Sequence, residues 1–364
     1  PRIRRFLYRV QKSMNPEDLK RIKDKLNATG NGFCMAKWYH VSMHLHTGVN
    51  HSCYHPMPHP IPLEEIKKDP SKLHNTDWKK EQRRQMLQGS RPEECSYCWD
   101  IEDLEGDQIS DRYLRSSEEW AQPLIDETAK MDGSEDVYPR YLEVNFGFEC
   151  NLKCSYCASS VSSSWHSEIV KHGDYDLKNP VNKRQYSVSD QVWKKEEQNP
   201  YIAAFWKWFP EVYPHLHTFR VTGGEPLLSS NVFKSLDYIA ENPNPNLEWS
   251  VNTNMCIPER NLKRYANRVA DLVNNGKIKQ VSTFTSVDTW GPQTEYIRFG
   301  FNQDKFCKNI DTYLHMVPKS TINFMITFNF LSMPNFDLLL DKILQMRQQY
   351  NTQGIQRVNL DTPY

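Results

Sequence analysis

The chain has 364 residues, and 45 Lys and Arg residues balance 45 Asp and Glu residues, so its formal net charge is zero. This balance gives no overall field that would attract nucleic acid or an anionic membrane, and we expect neither as a partner. No apolar run approaches the roughly 18 residues that a membrane-spanning helix needs. The basic opening Pro1–Val10 has no long apolar core of a signal peptide, so we expect a cytoplasmic protein. Its start without Met fits a trimmed form of a longer protein.

The first part of the chain is polar and rich in Cys and His. Residues 1–31 are expected to form a helical lead-in that starts near Asn15–Asp18. Residues 32–137 form the Cys-rich part, where we expect a hairpin over Trp38–Tyr54 that turns at Thr47-Gly48. Helices are predicted over Asn75–Gln88, with Gly89 at its end, and over Ser117–Met131.

From Tyr138 onwards, strand-like segments alternate with helix-like segments, and residues 138–364 are expected to form the main domain. The predicted strands are Tyr141–Gly147, Thr218–Thr222, Leu247–Thr253, Gln280–Ser286, Ile322–Phe328 and Arg357–Asp361. The predicted helices are Val192–Phe209, Asn231–Glu241, Glu259–Asn275, Lys305–Met316 and Phe336–Tyr350. Six strands separated by helices favour an α/β fold with a parallel sheet, either open or barrel-like.

A close-spaced cysteine triplet follows the first of these strands. Cys150, Cys154 and Cys157 form C-x3-C-x2-C, on a loop where α/β barrels place their active sites. Iron–sulfur cubanes are normally held by four thiolates, so three would leave one iron open for a substrate or cofactor. The alternative is a structural zinc site, which needs a fourth ligand, and His166 is the nearest candidate.

This triplet resembles the signature of the radical S-adenosylmethionine superfamily, and the resemblance extends from Tyr138 to Tyr364. Tyr156 matches the aromatic residue between the last two cysteines, which implies packing near the adenine. Gly223-Gly224-Glu225, one strand later, matches the loop that binds the methionyl amino group. Asn252-Thr253-Asn254 and Ser286-x-Asp288 resemble two further loops, although Met255 replaces the family's glycine.

Arg298 lies where the family has the arginine that pairs with the methionyl carboxylate, a role that suits a guanidinium fork. Its alternative is an ordinary surface charge. The loop that contains Thr327 and Asn329 falls where the adenine would be contacted, although simple loop polarity is the slightly preferred explanation for both residues. The cofactor-binding set implied by the resemblance is thus Tyr156, Gly223, Gly224, Glu225, Asn254, Ser286 and Arg298.

The resemblance implies a partial (β/α)6 TIM-like barrel that holds a [4Fe-4S] cluster and S-adenosylmethionine. In that family, one-electron reduction cleaves S-adenosylmethionine to methionine and a 5′-deoxyadenosyl radical, which removes a hydrogen atom from the substrate. The cofactor carries this chemistry, and the protein positions it. A low-potential electron donor such as flavodoxin or ferredoxin is an implied partner. No catalytic acid or base can be assigned from the sequence.

A second cysteine set precedes the barrel. Cys34 and Cys53 flank Gly48, and Cys95 and Cys98 form a C-x2-C pair. The pattern resembles the start of the auxiliary-cluster modules named twitch and SPASM, and its four cysteines imply a twitch-like module with one auxiliary [4Fe-4S] cluster. The module usually follows the barrel in that family, whereas here it comes first. A four-cysteine zinc site fits the same spacings.

Other residues with reactive or bulky side chains have plainer explanations. A ligand role is open for the histidines of the Cys-rich part, although local hydrogen bonds are the commoner state of such residues. These are His40, His44, His46, His51, His55 and His59. Cys256 and Cys307 are expected to be small buried hydrophobic residues, and Phe205–Phe209 to be a helix packed on the barrel rather than a substrate platform.

The leading functional hypothesis is a radical S-adenosylmethionine enzyme that abstracts a hydrogen atom, with a peptide or protein side chain as the first choice of substrate. The same chemistry on a nucleoside, sugar or small metabolite is the alternative. A hypothesis of another class is a zinc-stabilised binding module without catalysis. Iron and labile-sulfide analysis separates this last hypothesis from the other two.

Overall fold

The structure is a computed structural model that describes residues 15–179, 186–187, 192–352 and 354–362. The helices are α1 Pro16–Thr29, α2 Met35–Tyr39, α3 Leu63–Lys68, α4 Asp77–Leu87, α5 Ser96–Glu102, α6 Asp111–Ser116, α7 Ile125–Thr128, α8 Ser163–His172, α9 Pro200–Val212, α10 Ser230–Glu241, α11 Glu259–Asn274, α12 Pro292–Ile297, α13 Gln303–Met316 and α14 Phe336–Tyr350. Short 3-10 helices occur at Pro70–Leu73, Glu93–Cys95, Gln122–Leu124, Glu196–Gln198, Tyr213–His215, Pro226–Leu228 and Met333–Asn335.

The strands are β1 His40–His44, β2 Val49–His51, β3 His59–Pro60, β4 Tyr141–Asn145, β5 Lys153–Cys154, β6 Thr218–Thr222, β7 Asn244–Thr253, β8 Ile278–Ser286, β9 Arg298–Phe299, β10 Ser320–Met325 and β11 Val358–Asp361. The chain divides into two compact units. Unit 1 consists of Pro1–Val144 and Glu197–Phe219, and unit 2 consists of Asn145–Glu196 and Arg220–Tyr364.

Unit 1 combines short helices with a small antiparallel sheet. β1 pairs with β2 and β2 pairs with β3, both antiparallel, and β4 lies next to β1. Trp38, Leu26, Phe33 and Met86 belong to one buried cluster, and Cys34, Cys53 and Cys95 pack against its edge. The core of this unit therefore surrounds the second cysteine set.

Unit 2 is built on a parallel sheet in the order β11-β10-β8-β7-β6. β7 with β8, β8 with β10, and β10 with β11 are all parallel pairs. The register aligns Thr253 with Thr285, and Ser286 with Met325, so the carboxyl ends of these strands lie at one edge. The mixed architecture with a mostly parallel sheet confirms the predicted α/β class.

The helices of unit 2 cover one face of each strand because their apolar residues recur at helical spacing. In α11 the buried side chains are Leu262, Tyr265, Ala266, Val269, Leu272 and Val273, which places them on one stripe. In β10 the buried residues alternate with half-buried Thr321, Asn323 and Met325. One face of the strand thus packs in the core, and the other presents mostly polar groups.

Several predicted elements are confirmed, and others are corrected. All six predicted strands are present within a few residues of their predicted bounds, and α10, α11, α13 and α14 match their predictions. Asn15 caps α1 through a bond from the Glu17 N–H, as the sequence indicates. Within the described ranges, every helix is too short or too polar to span a lipid bilayer.

The predicted helix over Ser117–Met131 is wrong, because only the 3-10 turn Gln122–Leu124 and the short α7 form there. Pro123 lacks an N–H and disfavours a helical residue before it, so a continuous helix cannot pass through this position. The helix predicted from Val192 begins at Pro200, with Asn199 as its cap. The predicted hairpin is shorter than Trp38–Tyr54, since Trp38 lies in α2.

The observed units have other bounds than the predicted segments. Residues 138–144 and 197–219 belong to unit 1 together with the Cys-rich part. The division of the chain into 1–31, 32–137 and 138–364 stays a prediction. The long connection between β4 and β6 holds α8 and α9, as expected for a link that contains an insertion.

Candidate cofactor sites in the two units

The cysteine triplet lies in unit 2, directly after β4. Cys150, Cys154 and Cys157 line one cavity of about 410 Å³, and all three are free thiols. Cys154 lies in β5, which pairs antiparallel with β9 so that Cys154 faces Arg298. The cysteine loop is therefore tied to a segment that lies far away in the sequence.

The beginning of α8 also holds this loop in place. The Cys150 N–H donates to Ser163 Oγ at 3.0 Å, and Ser164 Oγ donates to the Cys150 carbonyl oxygen at 2.6 Å. Trp165 Nε1 donates to the Cys154 carbonyl oxygen at 2.9 Å. These bonds satisfy backbone groups that a buried loop would otherwise leave without partners. The sequence analysis did not identify this segment, although the run of serines at 162–164 is a helix-start signal.

Burial raises the pKa of each thiol in the triplet, to about 12 for Cys150 and about 11 for Cys157, and above its usual value for Cys154. Metal ligands must be thiolates, so binding at this site releases protons. Four sulfur ligands of a tetrahedral zinc ion would be about 3.8 Å apart, given Zn–S bonds of about 2.3 Å. Among the described residues, no three cysteine sulfurs lie within 4.8 Å of one another. His166 does not line the cavity.

The Gly-Gly-Glu loop follows β6 and passes very close to the cysteine loop. A Cβ atom at Gly224 would lie 2.5 Å from the Glu149 carbonyl oxygen and 2.6 Å from that of Phe148. Gly223 has a φ of 144° and a similarly close neighbour in Asn145. Since real Cβ atoms do not approach backbone this closely, glycine is required here. Both glycines line the cavity.

Glu225 is 2% exposed, and its carboxylate accepts from the N–H groups of Leu227 at 3.1 Å and Asn254 at 2.7 Å. Burial raises the pKa of Glu225 to about 7. Within the described part of the chain it forms no ion pair, so a cationic group would stabilise its charged form. Glu225 itself does not line the large cavity, whereas its partner Asn254 does.

Asn254 connects three loops of unit 2. Its Nδ2 donates to Asn151 Oδ1 at 2.9 Å, and its Oδ1 accepts from the Cys256 N–H at 2.8 Å. Met255 has a φ of 54°, in the left-handed region where a glycine stands in the resembling family. The loop thus keeps the backbone shape that the glycine would allow, with a buried methionine side chain.

Asp288 is a central residue of the site, and the sequence analysis gave it no role of its own. It is fully buried and accepts from Arg298 Nε at 2.9 Å and Nη2 at 3.0 Å, and from the Tyr156 hydroxyl at 2.8 Å. The Thr327 N–H donates to its second oxygen at 3.1 Å. Arg298 Nη1 lies 3.7 Å from Cys154 Sγ. Arg298 is therefore no surface charge, because it is buried and fixed beside the triplet.

Of the predicted cofactor-binding residues, all except Glu225 line the same cavity. Its wall contains Tyr156, Gly223, Gly224, Asn254, Ser286 and Arg298. Thr327 lines it too, while Asn329 lies in a local turn with Ser332. Cys256 is buried with its thiol against the Asn302 carbonyl oxygen, as expected for a small packed side chain.

The second cysteine set comes together in unit 1. Cys34, Cys53, Cys95 and Cys98 all line one small cavity of about 20 Å³, and all are free thiols. Burial raises the pKa of Cys95 to about 11 and that of Cys98 to about 12. The same factor raises the pKa of Cys34 and Cys53 above the usual range. Hence four thiols from three sequence segments line one small cavity.

Two buried cations lie on the segments that carry these cysteines or pack against them, and one of them, Arg112, lines the cavity. Lys37 is 2% exposed and forms an ion pair with Glu94. Arg112 donates from Nε and Nη2 to the two oxygens of Glu102, at 2.9 Å and 2.7 Å. Each cation is thus paired with a carboxylate of the same unit.

Of the six histidines considered as ligands, only His55 lines the cysteine cavity. Its Nε2 lies 2.7 Å from an Asp111 oxygen, and its ring stacks on Tyr97. His44 and His51 contact each other through their Nε2 atoms at 3.1 Å. The aromatic segment of α9 packs within unit 1, where Phe205, Trp208 and Phe209 are buried, as predicted for a packing helix.

A comparison with models of protein families finds no match, and no curated protein matches the chain. Among solved structures, the chain is similar to native anSMEcpe with bound AdoMet, with 15% identity, a TM-score of 0.33, and coverage of 60% of this chain and 50% of that chain. It is also similar to Streptococcus suis SuiB bound to S-adenosylmethionine, with 12% identity, a TM-score of 0.35, and coverage of 72% of this chain and 51% of that chain. A second structure of Streptococcus suis SuiB gives 13% identity, a TM-score of 0.36, and coverage of 72% of this chain and 57% of that chain. The chain thus spans about half the length of the solved chains that it matches.

Proposed function

We propose that this protein is a radical S-adenosylmethionine enzyme. The observation that carries the proposal is the shared cavity of unit 2, where three thiols meet the Gly-Gly loop, Asn254 and Arg298. Three thiolates can hold three irons of a cubane and leave the fourth open. The cavity volume of about 410 Å³ falls within the range of small-molecule cofactor sites.

The residues of the cavity fit a [4Fe-4S] cluster with S-adenosylmethionine. When bound, this pair supplies one-electron cleavage of a carbon–sulfur bond and hydrogen-atom abstraction from the substrate. Cys150, Cys154 and Cys157 would be the cluster ligands. In a cubane each of the three cysteines binds a different iron, whereas a structural zinc ion needs a fourth ligand at the same metal.

The remaining residues would bind and orient the cofactor. Glu225 offers a buried carboxylate for an ammonium group, in contact with the Asn254 loop at the cavity wall. Arg298 keeps one nitrogen directed towards the triplet while Asp288 fixes the other two. Tyr156 offers a ring at the cavity wall on which an aromatic base can pack.

For unit 1 we propose a second [4Fe-4S] cluster in a twitch-like module, held by Cys34, Cys53, Cys95 and Cys98. Its support is the convergence of the four thiols on one cavity beside two buried cations. Full ligation by four thiolates suits electron transfer or a structural role. A four-cysteine zinc site is the alternative for this set.

As substrate we propose a peptide or protein side chain, with a nucleoside, sugar or small metabolite as the alternative. The half-buried side chains of β7, β8 and β10 support a polar substrate in either case, since they include Asn252, Ser282, Ser286, Thr321 and Asn323. Such hydroxyl and amide groups can bond to the amides of a peptide backbone. We further propose a reducing, cytoplasmic setting and a donor such as flavodoxin or ferredoxin.

The test is iron and labile-sulfide analysis of the full chain after anaerobic reconstitution. We expect about eight irons, because each of two cubanes contributes four. The triple variant Cys150→Ala, Cys154→Ala and Cys157→Ala should keep about four, and Cys307→Ala serves as the control for a cysteine outside both sets. Zinc without sulfide, or a triple variant with an undiminished iron load, would contradict the proposal.

A further inference from the structure

Lys37 has an unusual position for a lysine, because it is almost fully buried beside the cysteine cavity of unit 1. Its Nζ pairs with Glu94, the residue directly before Cys95. Glu94 and Cys95 lie in the same 3-10 turn, Glu93–Cys95, so the ion pair holds the ammonium group at the segment that carries this thiol. A buried positive charge therefore lies next to the segment of one proposed ligand.

The fold fixes the ammonium group at this place. Cys34 directly precedes α2 in extended conformation, and Lys37 follows it by three residues within the helix. Arg83 Nε donates to the Lys37 carbonyl oxygen at 3.1 Å, which anchors this turn from the buried side. Burial by itself lowers the pKa of Lys37, but the charges of Cys95 and Glu94 outweigh burial and raise the pKa above its usual range.

A fixed charge beside an iron–sulfur cluster changes its reduction potential. The reduced cluster carries one more negative charge than the oxidised cluster, so a nearby cation stabilises the reduced state more. Hydrogen bonds to the ligand sulfurs act in the same direction. A carboxylate that pairs with the cation opposes this effect.

We propose that Lys37 is a positioning residue that raises the reduction potential of the unit 1 cluster, and that Glu94 limits this effect. This inference rests on the proposed cluster at Cys34, Cys53, Cys95 and Cys98. The Lys37–Glu94 pair then sets the reduction potential of this cluster, because two opposite charges lie beside the segment of one ligand, Cys95.

The experiment uses the full chain with Cys150, Cys154 and Cys157 replaced by Ala, so that only the unit 1 cluster remains. In this background, the midpoint potential is measured by redox titration followed by electron paramagnetic resonance, together with iron content. Lys37→Met should shift the potential to more negative values, and Glu94→Gln should shift it to more positive values. Lys37→Arg keeps the charge and should stay near the parent. Lys67→Met, which removes the lysine of an exposed pair with Glu64, should leave the potential unchanged.

Shifts of opposite sign in the two variants distinguish an effect on the reduction potential from a purely structural role of the pair. If the pair only supports packing, both variants disturb the same contact and the two potentials move together or not at all, which overturns the inference. If Lys37→Met loses its iron, the sign of the Glu94→Gln shift decides, since an unchanged or more negative potential contradicts the proposal. A parent that binds no iron in unit 1 refutes the proposed second cluster instead, and iron content distinguishes the two failures.

Discussion

Gly224 lies where two loops of unit 2 approach each other most closely. A methyl group there would meet two carbonyl oxygens of the segment that leads into Cys150, and backbone atoms cannot move aside as a flexible side chain can. The substitution therefore acts on the cysteine loop and not only on the glycine's own turn. A positive φ favours glycine at position 223, whereas the close approach of two backbone carbonyl oxygens requires glycine at position 224.

We expect Gly224→Ala to reduce the iron bound by unit 2 to well below four per chain, because Cys150 is displaced. Gly276→Ala is the matched control, since Gly276 has a φ of 65° but no atom within 4 Å of the added carbon. That control should cost about 1–2 kcal/mol of the free energy of unfolding, because of its left-handed backbone, and keep its iron. Equal iron in both variants would show that the close approach at Gly224 is tolerated.

The raised pKa of Glu225, about 7, predicts a pH dependence of cofactor binding. An ammonium group pairs with the ionised carboxylate, so the proton must leave before or during binding. The affinity for S-adenosylmethionine should therefore rise with pH as Glu225 ionises and level off above about pH 7, as proton linkage requires. Glu225→Gln has no such proton, so its weaker affinity should be flat over the same range. Calorimetry at several pH values measures both curves, and identical slopes would remove Glu225 from the site.

At the scale of elements, the loop after β7 combines two opposing effects at Met255. Its left-handed backbone costs about 1–2 kcal/mol for a residue with a side chain. The buried side chain, however, contributes more, because removal of a core methionine side chain typically costs about 2–5 kcal/mol. Met255→Gly should therefore destabilise unit 2, even though glycine stands here in the resembling family. Urea unfolding measures the change, with Met333→Gly, at an exposed position, as comparison; a more stable Met255→Gly would show that backbone strain dominates.

The elements that the sequence predicted correctly are those with a strong local pattern. The sequence alone shows the periodic apolar residues of α11 and α14, and it also shows the short strands that precede each loop. The convergence of Cys150, Gly223 and Asn254 was also predictable, because parallel strands bring their carboxyl ends to one edge. The helix over Ser117–Met131 is wrong because Pro123 interrupts it.

The features that escaped prediction depend on contacts between distant segments. β5 and β9 are two residues long, and their pairing joins Cys154 to Arg298 across 144 positions of sequence. The role of Asp288 follows from three partners on three different loops, which no spacing rule reveals. The Lys37 pair is similar, because a lysine is usually exposed and the sequence alone does not show that the fold buries this one.

For the whole molecule, the two units carry different proposed tasks. Unit 2 contains the complete cavity for the cofactor, and all residues proposed to bind it lie within Asn145–Glu196 and Arg220–Tyr364. Unit 1 contains the second cysteine set and few long helices. The described cysteines of unit 1 are free thiols, and a metal cluster that they bind would join segments that lie far apart in the sequence.

We therefore expect the double variant Cys95→Ala and Cys98→Ala to make residues 32–137 sensitive to protease while unit 2 stays resistant. Turnover of the true substrate should be lost, because the proposed second cluster is lost. Cleavage of S-adenosylmethionine without substrate, followed by release of 5′-deoxyadenosine, should survive, since the proposed ligands and binding residues for that step are all in unit 2. Limited proteolysis with mass spectrometry and a product assay measure the two effects on the same sample. A double variant that resists protease and turns over normally would show that unit 1 needs no metal, whereas loss of cofactor cleavage as well would show that the chemistry of unit 2 depends on unit 1.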